Sequence, residues 1–582
     1  MKTRTTLILL ALAIAGSCWV IFYEKDRPNT EESQRRAQNV VNFERDQVDG
    51  IVIENGDDKI ELRRAGDKWR LEAPIKDQAD ASVITTLLTD LETWQKDQTF
   101  SAKEIEADKS RLDEYDLAKP KLRLRLLGKE MPPEIWFGKD AALEGKIYVR
   151  FASDKETFLA RQSVKKDIAK KPEEFRDRKL TDLTTAQVNR FVLKTAAGEM
   201  ELQKQGDFWE IVKPLRARGD AQKIGDLLAQ VTTSQIQQFV AEDRGDLQPY
   251  GLAEPRGSIT LFAQGDQQGQ TLQIGGTPEK EKDQVYVRFS ARNFVYTLPK
   301  KIEEILNTAP ADLRDRHLVR IDTNNLDRLT IDARDKGKTV LARKDEAWQI
   351  VSRNNEPANN AEVTRLLDTL KNEQVTKFVE DVASDLPKYG LDQPQLQLTF
   401  SSFASENTAE TGAGEHPFAT LSFGRIDGDV VYARVGEEPF IVAVRKALLD
   451  TIFTDPVQWQ ELAIFKFKPE EVHRLNVVAM GEATLVRGAN NEWTRAQGTE
   501  PINAVNVQSL LNTLTNLRAV RWIGGAMPAQ AFDQQQIAIT FTTSPDDKAT
   551  HKLIVGGSAG SGMWYARVEG RDGVFVISNP DF

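Results

Sequence analysis

The sequence predicts an α+β fold: an N-terminal transmembrane helix followed by four tandem repeats, each an antiparallel sheet with one or two helices. Three observations predict this fold. A Trp-bearing strand recurs about every 140 residues, an amphipathic helix with a Leu-Leu pair follows each such strand, and an apolar run opens the chain. The strands carry Trp69, Trp209, Trp348 and Trp493, and the pairs are Leu87-Leu88, Leu227-Leu228, Leu366-Leu367 and Leu510-Leu511.

The repeat period, the apolar N-terminal run and the polar stretch after it divide the 582-residue chain into six segments. A length of about 100–200 residues per domain is typical, so four folded units fit this chain. The last unit lacks the closing helix that is predicted for the other three. We predict an anchor at 1–23, a linker at 24–42, and repeat units at 43–180, 181–318, 319–463 and 464–582.

Each unit is predicted to begin with three short strands in which apolar and polar residues alternate, as in an antiparallel meander. The amphipathic helix comes next, and a residue with a short polar side chain precedes it in every copy. Such side chains accept a hydrogen bond from a free backbone N–H, so we predict that they are N-caps. The predicted N-caps are Asp80, Asp220, Asn359 and Asn503.

The second half of each unit is predicted to hold further strands, a turn and a closing helix. The turn reads Tyr-x-Leu-x-x-Pro in three units, where proline stops both helix and sheet pairing. The strand before it carries Phe100, Phe239, Phe378 or Trp522. The turns are Tyr115–Pro120, Tyr250–Pro255 and Tyr389–Pro394, and a later strand ends at Gly138, Gly275, Gly424 or Gly556. Closing helices are predicted at Ser163–Lys179, Lys300–His317 and Arg445–Leu462.

Composition argues against several kinds of site. The formal net charge of −10 disfavours a nucleic-acid-binding protein, since no basic face stands out to override it. Cys18 is the one cysteine, so an intrachain disulfide or a cysteine-based metal cluster is excluded. The four histidines occupy unrelated positions in the repeat. We therefore predict no catalytic residue, no metal site and no cofactor, and a protein that is not an enzyme.

The N-terminal apolar run, Leu7–Tyr23, is predicted to be an uncleaved transmembrane anchor. A helix of this length extends about 26 Å, near the hydrocarbon thickness of about 30 Å. Lys2 and Arg4 precede the run, and the charges directly after it cancel. This asymmetry predicts a cytoplasmic N-terminus, with the bulk of the chain across the membrane.

Two processed forms of this end remain open. Ala15-Gly16-Ser17 suits a signal-peptidase site, and the same residues with Cys18 are similar to a lipobox, in which case Cys18 would be lipidated. The apolar run continues past Cys18 to Tyr23. A mature chain that began there would expose an apolar end, which favours the uncleaved anchor.

A Tyr-x-Arg pair near the end of each unit is the candidate ligand site. Alternation along a strand puts the flanking apolar residues on one face and the Tyr and Arg on the other. Aromatic and guanidinium groups together bind carboxylates, phosphates or sugars. Alternatively the pairs complete a sheet face or a repeat interface, because features shared by every repeat usually serve the fold. The candidate residues are Tyr148, Arg150, Tyr286, Arg288, Tyr432, Arg434, Tyr565 and Arg567.

The anchor, the Trp strand, the Tyr-Gly-Leu-x-x-Pro turn and the Gly-then-Tyr-x-Arg strands together resemble an uncharacterised bacterial family, the domain of unknown function DUF4340. The resemblance covers nearly everything after the linker. Unit one has Asp116 where units two and three have glycine, and unit four lacks the turn. Members of that family resemble companions of an ABC-type transport system related to gliding-motility transporters, which implies a partner and no activity.

These features lead to our functional hypotheses. The first is a non-enzymatic accessory or scaffold component of an ABC-type transport assembly. It would be a single-pass protein of the bacterial inner membrane, with its repeats in the periplasm or outside the cell. The alternative is a periplasmic module that binds glycans or polyanions through the Tyr-x-Arg face. A third hypothesis, an envelope hydrolase, has no motif in its favour.

Overall fold

A computed structural model of the chain describes residues 37–107, 110–241, 245–292, 294–403, 415–436, 438–526, 531–533, 537–546 and 548–581. The predicted anchor, Cys18 and most of the predicted linker lie outside these ranges. Within them, no helix combines the length and the apolar character that crossing a membrane requires.

Four antiparallel sheets follow one another along the chain, which confirms the predicted series of tandem sheet repeats with helices. The first sheet contains β1 (Val48–Asn55), β2 (Asp58–Ala65), β3 (Lys68–Ala73), β4 (Asp77–Gln78), β5 (Lys96–Phe100), β6 (Leu122–Gly128), β7 (Ile135–Asp140), β8 (Lys146–Phe151) and β9 (Thr157–Arg161). The second contains β10 (Val188–Thr195), β11 (Gly198–Gln205), β12 (Phe208–Lys213), β13 (Ala217–Arg218), β14 (Gln238–Ala241), β15 (Gly257–Ala263), β16 (Gln270–Ile274), β17 (Gln284–Phe289) and β18 (Val295–Pro299). The third contains β19 (Arg328–Ala333), β20 (Gly337–Lys344), β21 (Ala347–Ile350), β22 (Glu356–Pro357), β23 (Lys377–Glu380), β24 (Leu396–Phe403), β25 (Glu415–Asp427), β26 (Val430–Val435) and β27 (Ile441–Arg445). The fourth contains β28 (Arg474–Val478), β29 (Glu482–Arg487), β30 (Trp493–Arg495), β31 (Arg521–Ile523), β32 (Ile537–Thr542), β33 (Thr550–Gly560), β34 (Met563–Val568) and β35 (Val574–Ser578).

The first three sheets share one strand order. In the first sheet it is β4-β3-β2-β1-β6-β7-β8-β9-β5, so the chain crosses from one edge to the other between β4 and β5. The amphipathic helix lies in that crossing, which lets its apolar stripe cover one sheet face. The fourth sheet has no counterpart of β4 among its described strands, and β30 is its edge.

The predicted amphipathic helices form, and their apolar stripes are buried, except that Leu510 of the fourth is half-buried. Asp80, Asn359 and Asn503 each accept a hydrogen bond from a backbone N–H of the first helical turn, which confirms them as N-caps. Each buried Leu or Ile contributes about 1.5–3 kcal/mol. The α-helices are α1 (Ala81–Glu92), α2 (Ala102–Glu106), α3 (Ser110–Glu114), α4 (Ser163–Ile168), α5 (Ala221–Thr232), α6 (Asn360–Asn372) and α7 (Ala504–Thr515).

The predicted closing helices are wrong in extent, because a proline divides each of them. Pro172, Pro310 and Pro456 each begin a separate short 3-10 helix. Proline has no N–H to donate inside a helix, and it disfavours helical backbone in the residue before it. The observed segments are α4 with Pro172–Phe175, Lys300–Asn307 with Pro310–Leu313, and Lys446–Thr451 with Pro456–Trp459.

The chain after each of these prolines hydrogen-bonds to two successive repeat units. We call these stretches connector 1 (175–180), connector 2 (313–318) and connector 3 (459–464). In connector 1, the carbonyl of Phe175 accepts from the N–H of Asp80 at 2.8 Å, and further along the N–H of Leu180 donates to Ser234. Each connector therefore closes the edge of one sheet and continues into the next.

The chain divides into two compact units, Met1–Lys204 with Gln222–Ala309, and Gln205–Ala221 with Pro310–Phe582. In the first unit, the main core lies between the first sheet and α1. In the second unit, the fourth sheet and α7 enclose a comparable core.

Candidate functional site

The Tyr-x-Arg pairs lie on β8, β17, β26 and β34. In β8, Ile147 and Val149 are buried, whereas Tyr148 and Arg150 are half-buried on the opposite face. The same alternation recurs in β17 and β26, and in β34 Ala566 is buried between Tyr565 and Arg567, so the Tyr and Arg of each pair share one face. Tyr286, Arg288, Tyr432, Arg434 and Tyr565 are half-buried, and Arg567 is exposed.

The tyrosines of these pairs pack on the tyrosines of the Tyr-x-Leu-x-x-Pro turns. Tyr148 stacks on Tyr115 with ring centroids 3.8 Å apart and planes 8° from parallel. Pairs of this kind add about 0.5–1.5 kcal/mol beyond burial. The rings of the next two sheets meet edge to face, Tyr250 with Tyr286 at 5.1 Å and Tyr389 with Tyr432 at 4.9 Å.

The strand glycines let each turn approach its sheet. A Cβ built on Gly138, Gly275 or Gly424 would lie closer than 3.0 Å to the carbonyl oxygen of the turn tyrosine. In the fourth sheet, Gly556 stands in the same relation to the carbonyl of Ala531. Glycine, turn and strand tyrosine therefore form one packing unit.

Two arginines of the Tyr-x-Arg pairs donate hydrogen bonds to the loops of their own hairpins. The Nε of Arg150 donates to the carbonyl of Asp154 at 2.8 Å, and that of Arg434 donates to the carbonyl of Glu438 at 3.1 Å. These bonds fix the loop between the last two strands of the sheet.

In the fourth Tyr-x-Arg pair, the arginine packs on the ring of a phenylalanine. The guanidinium carbon of Arg567 lies 4.8 Å from the ring centroid of Phe532, within cation–π range. Ala531 stands where the other sheets have the turn tyrosine, and Phe532 follows it.

The pKa values of three strand tyrosines, Tyr148, Tyr286 and Tyr432, are raised. Burial raises the pKa of Tyr148 and of Tyr286. The pKa of Tyr432 is raised first by its hydrogen bond to the carboxylate of Asp427. These hydroxyls can donate hydrogen bonds but are poor general bases.

One pair borders an open cleft. Arg434 lines a cleft of about 560 Å³ in the second unit together with Gln397, Ser422 and Phe418. The side chain of Phe418 is exposed. An exposed ring beside amide, hydroxyl and guanidinium groups suits a polar ligand with a flat apolar face.

A second cleft of about 780 Å³ lies in the first unit, between the start of α1 and connector 1. Its lining carries both signs of charge, among them Arg70, Asp80 and Arg178. At one side, Lys68 and Asp182 form an exposed ion pair at 2.7 Å. The mixed lining gives this cleft no clear preference for anions or cations.

The most deeply buried charges lie on the connectors, and the sequence analysis missed them. Arg176 of connector 1 is 1% exposed. Its Nε donates to the carboxylate of Asp77 at 2.7 Å. Its guanidinium carbon lies 3.7 Å from the ring centroid of Phe239 and 5.1 Å from that of Phe294. The arginine therefore joins an acid of the first sheet to two rings of the second.

Asp77 binds a second arginine. Both oxygens of its carboxylate accept from Arg292, at 3.0 and 2.8 Å. Arg292 lies in the loop before β18, and it also donates to the carbonyls of Asp177 and Lys179. One buried carboxylate thus faces two guanidinium groups.

We call the place where a connector joins two successive repeat units a junction. At the second junction, an arginine of connector 2 packs on two aromatic rings as Arg176 does at the first. Arg314 of connector 2 is 3% exposed, and its guanidinium carbon lies 3.6 Å from the ring centroid of Phe378 and 4.9 Å from that of Phe440. Its Nη1 donates to Asp381 at 2.6 Å.

In the other ion pair of the second junction, the earlier sheet supplies the base and the later sheet supplies the acid. Asp77 of β4 binds Arg292, whereas Arg218 of β13 binds Glu438 at 3.0 Å, and Arg292 and Glu438 occupy equivalent loops. Burial raises the pKa of Glu438 and lowers that of Arg218. Arg218 lies one position after Ala217, the equivalent of Asp77, so the second junction does not repeat the Asp77 cluster.

The third junction replaces the arginine of the connector with an amide. Gln460 is fully buried, and its side chain accepts from Arg571 at 3.1 Å and donates to the carbonyl of Asp572 at 3.2 Å. The guanidinium carbon of Arg571 lies 4.7 Å from the ring centroid of Trp522. The cation now comes from the later sheet.

The pairing of β5 with β9 shows that Phe100 is not equivalent to Phe239. Phe239 pairs with Tyr296, and the equivalent residue of the first sheet is Thr99, which pairs with Phe158. Phe100 is one position later. A shift of one residue changes the sheet face, so Phe100 does not correspond to the junction aromatics.

A recurring pattern does mark the junctions in the sequence. After each proline, an apolar residue precedes Arg-Asp or Gln-Glu. The three copies are Phe175-Arg176-Asp177, Leu313-Arg314-Asp315 and Trp459-Gln460-Glu461. Among the described residues, no group of three or more His, Cys, Asp or Glu side chains is placed to hold a metal ion.

Comparison with known proteins identifies a family model. The model of a domain of unknown function (DUF4340) matches residues 95–208, 209–347 and 348–536. Each matched segment contains one connector, and the last two begin at Trp209 and Trp348. No curated protein matches the chain.

Two solved structures from Pseudomonas aeruginosa show only a weak likeness. A DNA polymerase sliding clamp with ligand is 9% identical, over 69% of this chain and 93% of the clamp, with a TM-score of 0.13. A DnaN sliding clamp bound to griselimycin is 8% identical, over 68% and 92%, with the same TM-score. Scores this low support no inference about fold or function.

Proposed function

We propose, from the premise that this chain belongs to the DUF4340 family, that it is a non-catalytic scaffold component of an ABC-type transport assembly. The resemblance stated above supplies the transport partner. The apolar run Leu7–Tyr23 supplies the anchor, as a single pass through the bacterial inner membrane with a cytoplasmic N-terminus. The repeats would then lie in the periplasm or outside the cell.

One observation carries the proposal: the side chains that recur among the repeats contact other parts of the protein itself. Tyr148, Tyr286 and Tyr432 pack on the turn tyrosines. Arg150 and Arg434 donate hydrogen bonds within their own hairpins. Arg176 and Arg314 are buried between successive sheets. Residues spent on joining repeats favour a scaffold over an enzyme.

A crosslinked, detergent-solubilised pull-down of the full-length protein tests the proposal, with partners identified by mass spectrometry. We expect transporter subunits to be recovered. A control protein carries an unrelated transmembrane helix in place of residues 5–23. Recovery with both versions would place the interaction in the repeats, and recovery with neither would refute the scaffold role.

A glycan- or polyanion-binding module is the second candidate function. The cleft that Arg434 shares with exposed Phe418 favours it. Binding of envelope glycans or a polyanion should then fall on Arg434→Ala and on Phe418→Ala. Phe403→Ala is the matched control, because Phe403 is also exposed on the same hairpin and does not line the cleft. Equal binding by all three variants would exclude this site.

A further inference from the structure

A third cleft, of about 420 Å³, opens in the third repeat unit beside the turn Tyr389–Pro394. Three cationic residues line it together with Gln393 and Gln395. Among the described residues that line it, none is acidic, whereas the clefts of about 560 and 780 Å³ both have aspartate in their lining. We call it the basic cleft, and its cations are Arg334, Lys388 and Arg425.

The three cations meet only in the third sheet. Strand pairing and the turn tyrosines identify the equivalent positions in the first two sheets. The equivalents are Gly56 and Ala196 for Arg334, Glu114 and Pro249 for Lys388, and Lys139 and Gly276 for Arg425. In the fourth sheet, Ala479 and Gly557 replace the two arginines. Residues that build the fold recur among repeats, so cations that converge in one unit alone indicate a role specific to that unit.

The cations of the basic cleft are available to a ligand. All three are exposed. Within the described part of the chain, neither Arg334 nor Arg425 forms an ion pair with an acid. Lys388 lies 3.3 Å from Glu380, but that pair is 56% and 42% exposed, so water screens it. An anion that enters the cleft therefore displaces no strong ion pair.

The backbone beneath the basic cleft is held in place. Gly390 has a left-handed conformation with a φ of 67°, and a Cβ added there would lie 3.0 Å from the backbone nitrogen of Arg425. The side-chain amide of Gln395 donates to the carbonyl of Gly424. Lys388 and Arg425 therefore extend from two segments that pack directly on each other, which fixes the floor of the cleft.

We propose that the basic cleft binds a phosphoryl group, carried by a ligand of about the size of a sugar phosphate. A phosphate monoester carries a charge of about −1.5 to −2 at pH 7, which three cations match better than they match a single carboxylate. Guanidinium groups bind phosphate oxygens in pairs, and a lysine adds a point charge. Pro387 and Ile426 give the lining an apolar side for the carbon skeleton of the ligand. The volume is within the range of small-molecule sites, about 300–1,000 Å³.

This site is separate from the cleft that Arg434 and Phe418 line, because the two clefts share no lining residue. It also goes beyond the scaffold role, which requires no small ligand. Binding to the basic cleft can therefore be tested independently of the transport partner.

Isothermal titration calorimetry of the full-length protein in detergent tests the proposal. The probes are glucose 6-phosphate, inorganic phosphate, glucuronate and glucose, all at one ionic strength so that screening does not differ among them. We expect saturable binding of glucose 6-phosphate at one site per chain, and no binding of glucose. Glucuronate has a similar ring with a single carboxylate, and it should bind about tenfold more weakly or less.

Substitutions of the lining cations assign the binding to this cleft. Arg334→Gln and Arg425→Gln should each weaken glucose 6-phosphate binding about tenfold or more, because each removes charge-assisted hydrogen bonds. Lys388→Gln should weaken it as well. Lys338→Gln is the matched control, since Lys338 lies in the same sheet, forms an exposed ion pair with Asp332 at 3.1 Å, and does not line the cleft. It should leave binding unchanged.

Four results would overturn the inference. They are no binding of glucose 6-phosphate, binding that the three cleft variants retain, equal affinity for glucuronate, and an equal loss in Lys338→Gln, which would trace the effect to net charge. Loss of binding in Arg434→Ala but not in Arg334→Gln would also overturn it, by placing the ligand in the other cleft. Inorganic phosphate that binds as tightly as glucose 6-phosphate would support the phosphoryl site and identify free phosphate as sufficient. Thermal unfolding of each variant checks that it is folded.

Discussion

A missing methyl group decides how the Tyr-x-Leu-x-x-Pro turn packs. At Gly424, an added Cβ would meet the carbonyl of Tyr389, which is backbone and cannot swing away. We expect Gly424→Ala to lower the free energy of unfolding by about 1–3 kcal/mol, because the turn must shift and the ring contact with Tyr432 weakens. Urea denaturation followed by tryptophan fluorescence measures the change.

Gly225→Ala is the matched control for that substitution. Gly225 lies in α5, and nothing is within 4 Å of a Cβ added there. Alanine inside a helix should instead stabilise by about 0.5–1 kcal/mol. Equal losses from the two alanines would mean that the turn carbonyl does not constrain Gly424.

The shared carboxylate of Asp77 allows a prediction from charge alone. Removing one partner of a buried ion pair costs about 3–5 kcal/mol, because the remaining charge is left uncompensated. Asp77→Asn leaves two buried arginines, so we expect the larger loss from it. Arg292→Leu leaves a neutral pair of Asp77 and Arg176, so its loss should be smaller. Thermal and urea unfolding of the variants check this order.

Lys68→Ala sets the scale for these losses. Its ion pair with Asp182 is 58% and 45% exposed, and such pairs contribute less than about 1 kcal/mol. If Asp77→Asn were no more harmful than Lys68→Ala, the buried cluster would not be stabilising.

Sequence reasoning succeeded for side chains whose role depends on neighbours in the chain. The N-caps Asp80, Asn359 and Asn503 act over two or three residues, so their type and position predict them. Arg176 and Arg292 meet Asp77 across 99 and 215 residues. Such partners depend on sheet pairing, which no local pattern specifies, although the recurring Phe-Arg-Asp type of pattern marks where to look.

Among the elements, the connectors depart furthest from expectation. Their sequences continue from short helical turns, and the prolines that divide those turns give the only local sign that the helix stops. The chain then hydrogen-bonds to two successive repeat units. Strand alternation and the amphipathic helices were predictable because each shows as a period of apolar residues within a short stretch of sequence. The crossing of the chain from β4 to β5 has no such local pattern and was not predictable.

The Arg218–Glu438 ion pair beside connector 2 should behave as a coupled element. Arg218→Met leaves the half-buried Glu438 without its partner, and Glu438→Met does the same to Arg218, so each single change should destabilise, by less than the loss of about 3–5 kcal/mol for a fully buried pair. The double variant removes both charges and should cost less than the sum, with a coupling energy of at least about 1 kcal/mol. Additive losses in a urea-denaturation cycle would show that the two groups act independently.

The raised pKa of Glu438 gives this junction a pH dependence. The folded chain holds a proton on Glu438 where the unfolded chain, with a pKa of about 4.3, has lost it. The contribution of Glu438 to stability is therefore fullest at acid pH and declines as pH rises through the unfolded and then the folded pKa. Relative to Glu438→Gln, the wild-type protein should gain stability on acidification from pH 8 to about pH 4. A difference that stays constant would show that burial does not perturb this carboxyl.

At the scale of the whole molecule, the sheets are joined in series, so damage should remain near its origin. Leu511→Ala in α7 opens a cavity in the core of the fourth sheet and should cost about 2–5 kcal/mol there. Hydrogen exchange should rise most in the fourth sheet and less in the third, because Arg571 and Gln460 tie those two together. The first sheet should keep its protection.

Leu88→Ala makes the same change at the equivalent position of α1, and it should reverse the pattern. Exchange should then rise in the first sheet, and next in the second through Asp77 and Arg292, with the fourth sheet unaffected. Hydrogen-exchange mass spectrometry on the two variants gives a direct comparison, since both lose the same side chain from the same place in the repeat. A uniform rise across all four sheets in either variant would mean that the chain unfolds as one cooperative body and that the junctions transmit the full cost of a distant cavity.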